Sequence, residues 1–77
     1  NALAQVYFDR QDYRKAAMYA SQANVRNSGT PASLWLAIKI EQRLGNQSGA
    51  MRYARQLREN FPNSREMQLY DRGAWNN

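Results

Sequence analysis

Apolar side chains recur every three to four residues along almost the whole chain, and the pattern is interrupted where polar residues, glycine or proline cluster. Residues 2–10, with Leu3, Val6, Tyr7 and Phe8, read as a first helix. The stretch Arg10, Gln11, Asp12 breaks the pattern, and Asp12 is placed to cap a second helix running to about Arg26. Next comes Asn-Ser-Gly-Thr-Pro, where Gly29 ends that helix and Thr30 with Pro31 caps and begins a third over residues 31–44, stopped by Gly45. Either Asn46 or Ser48 caps a fourth, which ends near Asn60 ahead of Phe61 and Pro62. Ser64 caps a fifth over residues 64–75, with Glu66 in the first turn, where the helix dipole favours an anion. No segment alternates with a period of two, so the expected class is all-α.

Alanine marks a second, longer period. Ala16, Ala20 and Ala23 share one helical face with Tyr19 among them, and Ala16, Tyr19 and Ala20 recur at one constant step along the chain as Ala50, Tyr53 and Ala54. Helix propensity explains any one of these alanines. Recurrence of the set points instead to internal repetition, with a methyl group where two helix axes approach closely.

The period, about 34 residues, and the residues that mark it resemble the tetratricopeptide repeat family. Leu3, Ala4 and Tyr7 match that family's first helix, and Tyr13, Ala16, Ala20 and Ala23 its second; Ala37, Gly45, Ala50, Ala54, Leu57 and Pro62 hold the corresponding places in the next unit. Three positions depart from the family pattern: Glu41 stands where tyrosine is usual, Gln47 replaces the second aromatic residue, and Ile38 replaces a small one. The resemblance implies helical hairpins stacked in a right-handed superhelix, an α-solenoid fragment. Its units would be a hairpin over 1–30, a second over 31–63, and a helix over 64–77 that caps the stack or starts a further repeat. In that register Asn1 falls inside a first helix, so the chain is expected to be part of a longer array. Apolar surface at its front, including Leu3 and part of Tyr7, is then expected to be exposed and to favour self-association.

Composition narrows the chemistry. With 77 residues there is room for one domain, and 43% apolar against 22% charged residues suits a folded chain. The absence of cysteine and histidine removes disulfides, thiol chemistry, the usual zinc ligands and the commonest general base, and leaves the redox compartment open. Asp9 and Asp12 flank a helix end, Glu41 is isolated, and no nucleophile elbow, phosphate loop or metal-binding pattern occurs. The expectation is therefore no enzymatic activity, no cofactor and no metal. A net charge of +5 raises nucleic acid as a partner. Arg52, Arg55 and Arg58 share a helix surface, but Arg10, Arg14, Lys39, Arg65 and Arg72 are dispersed, and no aromatic and basic interleaving is present. A solvated helical exterior is the expected meaning of the charge, and no nucleic acid is expected to bind.

The tail Leu57–Asn77, with Phe61, Pro62, Ser64, Glu66, Tyr70 and Gly73, is similar to the C-terminal end of the type IV pilus biogenesis and stability lipoproteins, the PilF/PilW family. That resemblance implies a scaffold on the periplasmic side of the outer membrane, tethered by a lipid anchor outside this segment and assisting assembly of the secretin and pilus. Within a solenoid the first helix of each hairpin lines the concave face. Its non-core stripe reads Trp35, Lys39, Gln42 and Arg43 on the third helix, Gln5, Phe8 and Asp9 on the first, and Glu66, Leu69 and Arg72 on the fifth. A tryptophan with two cations on successive turns suits a peptide or protein segment. The competing reading packs Trp35 in the core and leaves Lys39 and Arg43 merely solvated. Ala16, Ala20, Ala50, Ala54 and Pro62 are expected to be structural. Two alternatives stand beside the pilus scaffold: a tetratricopeptide module of another assembly or chaperone pathway, and a small basic nucleic-acid binder.

Overall fold

The computed structural model describes residues 2–27 and 30–73, without the side chains of Ala2 and residues 23–27. It contains α1 (Ala2–Asp9), α2 (Tyr13–Asn27), α3 (Pro31–Arg43), α4 (Gln47–Asn60) and α5 (Arg65–Asp71), and no strand among the described residues. The fold is all-helical. No helix is long and apolar enough to cross a membrane among those residues.

Side-chain caps start α3, α4 and α5. Thr30 Oγ1 accepts from the Ser33 N–H at 3.1 Å while the Thr30 N–H donates to Ser33 Oγ at 2.7 Å, a reciprocal capping box with Pro31 in the first turn. Of the two candidates for α4, Asn46 caps it, its Oδ1 accepting from the Gly49 N–H at 3.2 Å. Ser64 Oγ accepts from Met67 N–H at 3.1 Å at the start of α5. α5 is shorter than the periodicity predicts and ends at Asp71. The Arg72 and Gly73 N–H groups close its last turn onto Gln68 and Tyr70, and Gly73 has φ +77°, a left-handed conformation that ends the helical path. Gly29, expected to end α2, and residues 74 and 75 of the expected fifth helix lie outside the described residues.

The turn from α1 into α2 recurs, bond for bond, one repeat later between α3 and α4. Asp12 N–H donates to the Tyr7 carbonyl at 2.8 Å and Gln11 N–H to that of Phe8 at 3.0 Å; Asn46 donates to Glu41 at 2.9 Å and Gly45 to Gln42 at 3.1 Å. Each turn is a Schellman closure with its pivot in the left-handed region, Gln11 at φ 65° and Gly45 at φ 75°. Only glycine adopts that conformation without steric cost. Gly45→Ala is therefore expected to lower stability by about 1 kcal/mol, and Gln11→Gly to raise it by up to about 1 kcal/mol, in urea unfolding. Shifts of the same sign in the two variants would refute this account.

Two apolar clusters lie on opposite sides of α3. On one, Leu36, Ala37 and Ile40 meet Ala4 of α1 and Ala16 and Ala20 of α2; on the other, Leu34 and Ile38 meet Ala50, Ala54 and Leu57 of α4 and Met67 of α5. This double packing explains why α3 is apolar around most of its circumference. Tyr53 packs against both clusters. Ala16, Ala20, Ala50 and Ala54 are all buried, while Pro62 is exposed in the turn between α4 and α5. The side chain of Ala23 lies outside the described residues. Consecutive helices pack on one another, and α5 packs on both α3 and α4.

Candidate functional site

The non-core sides of α1 and α3 meet at Lys39. Phe8, in the last turn of α1, is half-buried and held edge-on against Tyr13 with ring centroids 5.6 Å apart. Trp35, one turn before Lys39, is half-buried against the second cluster. The Lys39 ammonium lies 5.4 Å from the centre of the Phe8 ring and 5.8 Å from that of Trp35, so two rings from different helices bracket one cation. The bracket connects α1 with α3, which also share the cluster of Ala4 with Leu36, Ala37 and Ile40.

Polar side chains border this cluster. Gln5 Nε2 donates to Asp9 Oδ1 at 2.9 Å across one turn of α1, both residues exposed. Gln42 is half-buried on α3, and Arg43 is exposed at its last turn. Among the described residues neither Arg43 nor Arg72 makes an ion pair or ring contact. Arg72 is the C-cap of α5 and not a member of its helical stripe; Glu66 and Leu69 are half-buried on that helix. The structure thus joins Phe8, Trp35 and Lys39, and makes no such join to Arg72. Trp35 is half-buried, packed against the second cluster and in contact with the Lys39 ammonium.

Several contacts were not foreseen from the sequence. Tyr7 stacks on Tyr19 at 5.5 Å and 5°, with Lys15 Nζ 5.5 Å over the Tyr7 ring. At the position corresponding to Tyr7, Glu41 instead accepts from Asn46 Nδ2 at 2.9 Å. A Cβ added at Gly49, the counterpart of Lys15, would come within 3.1 Å of that carboxylate. Glutamate at 41, where the first hairpin has Tyr7, is thus accompanied by glycine at 49, where the first has Lys15. That paired change was the available signal.

Arg58 pairs with Asp71 at 3.1 Å, the one ion pair among the described residues, with both side chains more than half exposed. A shallow depression of about 290 Å³ lies over Ser48, Met51, Arg52 and Arg55 on the solvent side of α4. No three acidic, cysteine or histidine side chains converge on a metal-sized site among the described residues. Comparison of the chain with family models, curated proteins and solved structures gave no match.

Proposed function

We propose that this chain is a protein-binding scaffold of tetratricopeptide-type hairpins stacked as a right-handed solenoid, and that the stripe centred on Lys39 receives an extended or helical segment of another protein. One observation carries the reading: the Schellman turn, the Asn or Asp after it and the paired alanines all recur at the same spacing of about 34 residues, a period that belongs to hairpin arrays. Repetition of the hairpin leaves the first helices as neighbours, which supports α1 and α3 as a shared docking face. On that face a half-buried tryptophan offers contact area, and a cation held between two rings is already ordered before a partner arrives. Arg43 adds an exposed charge that suits an acidic partner segment.

The similarity of the tail to pilus biogenesis lipoproteins makes an outer-membrane secretin or another pilus component the partner to test first. Purified secretin subunits titrated with the chain are expected to bind. Arg43→Glu should slow association more at low salt than at high salt, because the charge is exposed. Trp35→Ala should weaken capture at temperatures well below the midpoint of unfolding. If Trp35→Ala melts the chain and Arg43→Glu leaves capture unchanged, the stripe is not the docking face. Absence of any secretin binding, with capture of an unrelated acidic peptide intact, would favour a module of another assembly pathway.

A further inference from the structure

The depression on the solvent side of α4 gathers Ser48, Met51, Arg52 and Arg55, all within two turns of the helix. The other side of α4 is buried, where Ala50, Ala54 and Leu57 hold it in the second cluster. Neither arginine makes an ion pair, a side-chain hydrogen bond or a ring contact among the described residues, whereas Arg58, one turn on, is paired with Asp71. The fold does not require them. In the corresponding places of the first hairpin stand Arg14, Ala17, Met18 and Ser21, one cation against two, and that hairpin closes with the same turn and the same paired alanines. Beside the two guanidinium groups lies Met51, at 64% the most exposed large apolar residue among those described, ahead of Leu3 at 52%.

We propose that this face of α4 binds the surface of an anionic phospholipid bilayer, with Arg52, Arg55 and the Ser48 hydroxyl taking a headgroup phosphate and Met51 entering the apolar layer beneath it. Arginine suits that place because its planar fork donates two parallel hydrogen bonds to a phosphate, and its long stem keeps the charge at headgroup level while a neighbouring apolar side chain goes deeper. The helix lies lengthwise on the surface, its buried side turned to the core. A single-stranded nucleic acid needs aromatic rings on which its bases stack, and none lines the depression. An acidic protein segment answers the charges alone, whereas a phospholipid answers both the charges and the bare thioether. Glu59, exposed one turn beyond Arg55, bounds the patch on the C-terminal side. The surface shares no residue with the stripe at Lys39 and does not rest on that reading.

Cosedimentation of the chain with phosphatidylglycerol vesicles tests this, with phosphatidylcholine vesicles as the reference of no net charge. The chain is expected to partition onto the anionic vesicles and to be released as salt is raised. Arg52→Gln with Arg55→Gln should lower the partition coefficient about tenfold or more, since each cation at the surface contributes separately. Arg10→Gln with Arg65→Gln removes the same charge elsewhere and should lower it far less. Met51→Gln should weaken binding while leaving its salt dependence unchanged, because no charge is lost. All five positions are exposed, so these variants are expected to unfold at the urea midpoint of the parent chain. No partition onto the anionic vesicles, equal losses in the two double variants, or full binding by Met51→Gln overturns the proposal. So does tighter binding of a thymidine oligonucleotide that Arg52→Gln with Arg55→Gln abolishes, since the patch would then serve nucleic acid. The secretin titration with Arg43→Glu reports separately on the stripe at Lys39, because Arg43 takes no part in this face.

Discussion

Ile38→Ala is expected to lower the unfolding free energy by about 2–5 kcal/mol, a large share of what a domain of this size has. Ile38 is fully buried and faces Ala50, Ala54 and Leu57. Two of those three neighbours are alanines, whose methyl groups cannot extend into the vacated space. Its counterpart Ala4 is also fully buried, yet carries only a methyl group. The volume is supplied differently in the two hairpins. In the first, small Ala4 is accompanied by Tyr7, which packs on the cluster and stacks on Tyr19. In the second, large Ile38 is accompanied by Glu41, whose carboxylate is engaged by Asn46. Positions 38 and 41 lie one turn apart on the same side of α3, so they are expected to couple. Adding Glu41→Tyr to Ile38→Ala should restore part of the loss, the ring replacing the Glu41 carboxylate that lies over Gly49. Urea unfolding of the two single variants and the double variant measures this. A loss below about 1 kcal/mol for Ile38→Ala, or strict additivity, would contradict the exchange of volume.

Ala50→Leu is expected to destabilise by about 1–3 kcal/mol, for the opposite reason. Ala50 has no exposed surface and sits where α4 crosses α3 beside Leu34 and Ile38. A longer side chain there forces the helix axes apart or the neighbours off their rotamers. Ala32→Leu provides the control, since Ala32 is exposed on α3 and both residues are good helix formers. Thermal unfolding should separate the pair clearly. Equal midpoints would mean that Ala50 is present for its helix propensity alone.

Local signals carried most of the fold. Thr30, Asn46 and Ser64 could be recognised as caps because capping needs only a short polar side chain three residues before a free N–H. Gly45 was legible as a stop for the same local reason, and Gln11 was not, because glutamine rarely adopts the left-handed conformation it has here. The early end of α5 carried the same kind of signal in Gly73, but helical spacing continues through that residue and obscured it. Periodicity reports that α3 is apolar but not which neighbour each side meets, so the division into two clusters had to come from the structure. The stripe of Trp35, Lys39 and Arg43 was readable from spacing along one helix. That Phe8 would reach Lys39 was not, since this depends on how α1 lies beside α3.

The position of α3 between two clusters bears on how the chain comes apart. Arrays of small units commonly lose them one at a time from an end, each departing unit leaving a finished surface behind. Here removal of α1 and α2 would strip Leu36, Ala37 and Ile40, and removal of α4 and α5 would strip Leu34 and Ile38, all on the same helix. Either half, released alone, leaves its remainder with a wet apolar flank. The two hairpins are repeats in outline, yet they share one backbone element as a common wall, and so they stand or fall together.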